Sequence, residues 1–190
     1  MRAVSGSGPK EQEKQGGDRM KLTDISPKET WAELENEIWE RFGMRPRVYD
    51  TKGVGFTDVS FFGNDLCKMI QSTPKAQTFI CAVAHNNMAT MAKNTKQPVI
   101  EECDAGLIKV VVPIFVKDEF VGAAGACGKL VEDGEVDAFM VNRSSDVPED
   151  QVEELAKTVP STTRKEMEEL ARFVSERVEK IIKDYEQGTS

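Results

Sequence analysis

PVIEECDAGLIKVVVPIFVKDEFVGAAGACG, residues 98–128, decides the fold. Asp104-Ala105-Gly106 and Lys117-Asp118-Glu119 are short turn-forming breaks. They divide the stretch into three extended runs, Pro98 to Cys103, Leu107 to Val116 and Phe120 to Cys127. The unbroken apolar run from Val110 to Val116 predicts a strand covered on both faces. Gly122, Gly125 and Gly128 leave room beside the third strand, for a bulge or for a ligand lying against the sheet. Helical patterns flank these strands, so the expected class is α+β, an antiparallel sheet covered by helices with a long C-terminal helix.

Working outward to the N-terminus, Asn64 to Ser72 reads as a short helix carrying Cys67, and Thr73-Pro74 opens a longer one through Lys93. Phe79, Ile80, Val83, Ala84, Met88 and Met91 lie on or near one face of that helix. Cys81 and His85, four residues apart, point the same way. Before them, Arg47-Val48-Tyr49, the turn Asp50-Thr51-Lys52-Gly53 and the run Val54 to Phe61 predict a hairpin. Ser26, Pro27 and Glu29 open an amphipathic helix on Trp31, Leu34, Ile38, Trp39 and Phe42, which Gly43 ends. Residues 1–20 are rich in Gly, Ser and charge without periodicity and read as a disordered leader.

Toward the C-terminus, Val136 to Val141 reads as a further strand or edge element, and Asp146 with Pro148 opens a short helix through Val159. Ser161 caps a last helix to about Gln187. Its stripe of Met167, Val174 and Ile181, seven apart, suits packing on the helix's own domain or, more sharply, a dimer seam or signalling helix. The expected division is a leader over 1–20, a main domain over 21–145 and a helical extension over 146–190.

With 25 basic and 33 acidic residues the formal charge is −8. A molecule of that sign repels phosphate backbones and anionic lipid, which argues against nucleic acid or a membrane as direct partners. No apolar run reaches the 18 or so residues of a spanning helix, and residues 1–20 lack a secretion signal's apolar core, so the expected setting is the cytoplasm. In a reducing compartment the four cysteines, Cys67, Cys81, Cys103 and Cys127, are buried small hydrophobes, metal ligands or reactive thiols rather than disulfides.

Leu66-Cys67-Lys68-Met69-Ile70, Ser72-Thr73, Cys81, Gln97-Pro98-Val99, Cys103-Asp104-Ala105-Gly106-Leu107, Val112-Pro113-Ile114 and Gly122 together resemble a PocR sensory domain, over roughly Leu22 to Lys129. The resemblance implies a fold like PAS and GAF sensors, a pocket for a small molecule, and the sensing of simple hydrocarbon derivatives in bacterial regulation. It implies that Cys67, Cys81 and Cys103 are the recurrent cysteines and that Gly106 and Pro113 are structural. Cys127 is additional to that pattern. No output region accompanies the sensor in these residues, so the resemblance implies a signal passed to a separate protein, through the 161–187 helix.

The cysteine spacing contains no CxxC pair of the kind that marks zinc or iron–sulfur sites. Converging in the fold, Cys67, Cys81, Cys103 and Cys127 would form a thiolate site for zinc or an iron–sulfur cluster, or would line an organic-ligand pocket. His85 is a candidate ligand-binding residue, against the plainer reading of a partly exposed helical histidine. Asp104 is a candidate pocket carboxylate, against the plainer role of bonding its own turn. No nucleophile with a base, paired carboxylates or phosphate loop is present, so an enzyme is not the expectation; redox chemistry at a cysteine stays open. Two functions follow: a stand-alone sensor with a cysteine-lined site for a small molecule or metal, as a monomer or homodimer, and a small electron-transfer protein with an iron–sulfur centre.

Overall fold

The structure is a computed structural model that describes residues 19–188. Nearly all of the expected leader lies outside the described residues. Helices α1 (Leu22–Ile25) and α2 (Lys28–Phe42) precede strand β1 (Arg45–Tyr49). Helices α3 (Asp65–Ser72) and α4 (Pro74–Ala76), a π-helical segment Gln77–Ala82 and α5 (Val83–Thr95) come next. Strands β2 (Val99–Glu102), β3 (Ile108–Val116) and β4 (Glu119–Val131) follow. Helices α6 (Ala138–Ser145) and α7 (Glu149–Ala156), strand β5 (Ser161–Thr162) and helix α8 (Arg164–Gly188) complete the chain.

The sheet order is β1-β4-β3-β2, all antiparallel, with β5 pairing in parallel with the far end of β4. Alternation along the strands divides the side chains between two faces. Val48, Val110, Val112, Ile114, Ala124 and Ala126 face one layer, where α2 contributes Trp31, Leu34 and Ile38 and α8 contributes Met167, Leu170, Val174, Val178 and Ile181. Each large side chain fully buried there is worth about 1.5–3 kcal/mol of transfer free energy. On the opposite face Val111 and Ala123 meet Met88 and Ala92 of α5. A second core under α3, α6 and α7 gathers Leu66, Ile70, Ile80, Leu107, Val141 and Val152. A Cβ on Gly125 would fall on the Val110 carbonyl oxygen, so the β3–β4 approach itself requires glycine there.

The α+β architecture, the antiparallel sheet and the long terminal helix match the sequence expectation, and the three strands agree within a few residues. Gly43, at φ +59°, ends α2 in the left-handed cap the sequence indicated. Five details differ. Pro27 rather than Ser26 sits at the N-cap of α2, because Ser26 closes the short α1. The expected hairpin keeps only its first strand: Tyr49 bridges Gly55, and residues 56–63 are irregular. The long helix is interrupted by a π-helical segment, which turns Phe79, Val83 and Met91 outward while Ile80, Ala84 and Met88 stay buried. Residues 138–145 are helical, with Asp137 accepting from the Met140 N–H as the cap. Ser161 belongs to β5, not to the helix cap; the Thr163 hydroxyl accepts from the Glu166 N–H, and Glu166 accepts from the Thr163 N–H.

The apolar stripe of α8 is consumed by its own domain, as the plainer reading had it, and Arg177 on its flank makes a two-pronged ion pair with Glu37 of α2 at 2.6 and 2.7 Å. Among the described residues no helix is long and apolar enough to cross a membrane.

Candidate functional site

On the α5 side of the sheet the register sets Arg45 opposite Cys127 and Cys127 opposite Lys109, across β1, β4 and β3. Directly opposed residues in antiparallel strands hold their Cβ atoms about 4.5–5.5 Å apart. One thiol therefore stands between two cations in a single row.

Cys67 and Cys81 reach this row from the covering helices and Cys103 from the turn between β2 and β3. Asn64 caps α3: its Oδ1 accepts from the Cys67 N–H at 2.7 Å while its Nδ2 donates to the Gly128 carbonyl at 2.7 Å, pinning the start of α3, and so Cys67, against β4. Cys81 lies in the π-helical segment, where Gln71 donates to its sulfur at 2.9 Å and accepts from Arg45 at 3.2 Å. Inserted π turns displace one stretch of side chains from the regular helical face and occur often at functional sites. Cys103 starts the turn into β3, its carbonyl accepting from Gly106 and its N–H donating to Leu107.

All four cysteines line one enclosed chamber of about 30 Å³, together with Arg45, Tyr49, Gln71, Lys109 and the apolar Ile70, Ile80, Ala84 and Leu107. Empty space of that size accommodates about one water. Arg45, Tyr49, Gln71 and Cys81 also line a more open pocket of about 360 Å³, whose other walls include Arg47, Val54, Gly55, Thr78, Ala82 and His85. The shared residues place the chamber directly beside that pocket. Its size is in the range of small-molecule sites, and most of its lining side chains are polar or charged.

Electrostatically the chamber is unusual. Burial first, and then the neighbouring thiols, push Cys67 well above its ordinary range and Cys81 up to about 11. Burial also raises Cys103, against the backbone hydrogen bonds at its sulfur. These three are protonated thiols near neutral pH. His85 is 3 % exposed, stacks on Tyr49 with ring centroids 3.6 Å apart, and is held down to about 3 by burial and then by the Lys109 charge. It is a neutral imidazole, and its Nδ1 is buried without a partner.

Of the sequence candidates, Cys67, Cys81, Cys103 and Cys127 come together in the chamber and His85 stands in the adjoining pocket wall. The partly exposed histidine of the plainer reading is in fact buried. Asp104 is exposed in its turn and lines neither cavity. The zinc or iron–sulfur expectation is not supported: among the described residues no group of three or more His, Cys, Asp or Glu side chains is placed to hold a metal ion. The charge of the setting agrees, since Arg45 and Lys109 line the same chamber and oppose an entering cation.

Sequence reasoning missed Arg45, Tyr49, Gln71 and Lys109. Lys109 did carry a signal: a lone lysine inside the apolar run Leu107 to Val116, at a strand position that the alternation turns inward. Arg45 and Tyr49 had none, because their partners Gln71, His85, Lys109 and Cys127 are 26 or more residues away in sequence.

A family model described as "Sensory domain found in PocR" matches residues 24–185, from the α1 segment through most of α8. No curated protein and no solved structure matches the chain.

Proposed function

The chain belongs to the PocR sensory-domain family, and we propose that it binds a small molecule in the pocket between β1 and the π-helical segment, with the cysteine-lined chamber as its inner end. A sensory domain implies a small-molecule ligand, and the observation that carries the choice of site is the convergence of all four cysteines on that chamber. The π-helical segment supports it: Gln77, Thr78, Cys81 and Ala82 form one wall, so a ligand's contacts bear directly on an irregular and adjustable stretch of helix.

The ligand's effect would be a population shift between two packings of that segment over the sheet. We further propose that the shift reaches a separate signalling protein by way of α8. Support comes from alternation in β3 and β4: Lys109 and Cys127 face the chamber, while their neighbours Val110 and Ala126 pack in the layer that holds α8.

The test is occupancy of the pocket. Ala82 is exposed at the mouth, so Ala82→Trp should fold normally and fill the entrance. A library of small polar organic molecules is screened by thermal shift against both proteins, with hydrogen exchange recorded for any binder. Binders that stabilise the parent but not the variant, and that change protection in residues 77–82 and in α8, support the reading. Binders unaffected by Ala82→Trp place the ligand elsewhere and refute it.

A further inference from the structure

We propose that the ligand of this pocket is a small organic anion, a carboxylate, held between the Arg45 guanidinium and the Lys109 ammonium over the Cys127 thiol. This rests on the pocket being the ligand site.

Lys109 is 5 % exposed and lines the chamber. Its Nζ lies 5.4 Å from the Tyr49 ring centroid, and Cys127 stands opposite it in the sheet. Arg45 donates one hydrogen bond, to Gln71 at 3.2 Å, and leaves its Nε buried without an acceptor. The chain has 33 acidic residues, yet among the described residues none forms an ion pair with either cation. Every other wall residue of the chamber is apolar, a thiol, a phenol, a carboxamide or glycine.

Burying a charge without a counter-charge is among the costliest arrangements in a fold, and here two cations share one small space. A structure holds such charge where an incoming partner completes it. The complementary partner is anionic, and the end that enters is small because the chamber is about 30 Å³. It is organic because the pocket continues outward for about 360 Å³ past Tyr49, Val54 and Ala82, which give a carbon chain apolar contact. Arginine's planar fork suits a carboxylate, with lysine adding a point charge and Gln71 an amide.

Binding of sodium propionate to the full chain is measured by calorimetry beside 1-propanol, propionamide and inorganic phosphate. Lys109→Met, Arg45→Met and Ala82→Trp are the variants. Propionate should bind while propanol and propionamide do not, and Lys109→Met and Arg45→Met should each weaken it by about tenfold or more, the loss expected when a charge-assisted contact is removed. Phosphate binding more tightly than propionate would overturn the carboxylate assignment. Propanol binding that Ala82→Trp abolishes and Lys109→Met leaves unchanged would overturn the anion while sparing the pocket. Unliganded stability supplies a reading independent of the chosen probe. Lys109→Met should unfold at a higher temperature than the parent, because it removes an uncompensated buried charge. A clearly lower unfolding temperature would show the ammonium already satisfied within the fold, and would refute the inference whatever binds.

Discussion

Lowering the pH should destabilise the protein through His85 by an amount that can be worked out in advance. In the native state the imidazole is buried against Tyr49, with Lys109 nearby and Nδ1 unpartnered, and it titrates at about 3 instead of 6.5. The unfolded chain therefore takes up the proton first. The group's contribution to stability is complete above about pH 6.5 and drains away as pH falls toward the native value. Between pH 7.5 and pH 5 the loss is about 2 kcal/mol, from roughly 1.4 kcal/mol per unit of pH over the titrating part of the interval. Other groups titrate in the same range, so the quantity to measure is a difference of differences. His85→Phe keeps an aromatic ring against Tyr49 and removes the proton site. Urea unfolding of parent and variant, without added ligand, at pH 7.5 and at pH 5 should show the parent losing about 2 kcal/mol more than the variant. Parallel losses in the two proteins would mean that the imidazole is solvated or paired in the native state. The buried, neutral histidine would then be wrong.

Glu35 should act with the opposite sign. It is fully buried, accepts from the Val48 N–H at 2.6 Å and from the Thr57 hydroxyl, and its carboxyl is raised above the ordinary range by burial, which outweighs those hydrogen bonds. The unfolded chain then releases its proton first, so stability falls as pH rises from about 4.5 through the native value, and Glu35→Gln should flatten that limb in thermal unfolding. Gly125→Ala should cost about 3 kcal/mol, the upper end of overpacking penalties, because the obstacle is the Val110 backbone; Gly43→Ala, with nothing within 4 Å, should cost only the left-handed backbone penalty of about 1 kcal/mol in denaturant titrations. Native Cys67, Cys81 and Cys103 should react with a disulfide reagent at pH 7.5 at least about tenfold more slowly than in the denatured chain, since only the thiolate attacks and burial suppresses it. Rapid native labelling at these three would contradict the protonated chamber.

The sequence by itself determined what depends on short-range pattern. Turn residues at 104–106 and 117–119 delimited β2, β3 and β4, helical spacing found α2 and α8 with their buried faces, and α3 was read as a short helix carrying Cys67. The same reading named the cysteines, and the cysteine-to-leucine motif at 103–107 carried the resemblance to the PocR family. It misplaced what depends on competition between neighbours, such as the strand expected after Gly53 or the unbroken helix over 74–93, where a π-helical segment forms instead. Tertiary structure alone decided which thiol stands beside which charge. Arg45, Cys127 and Lys109 are a single row only because β1 and β3 pair on either side of β4 in one register, and a slip of one residue would turn each of them to the opposite face. The β3–β4 half of that register is local, set by the short turn at 117–118, but nothing local encodes the β1–β4 half. It joins strands far apart in the sequence and follows from which of their faces are buried together.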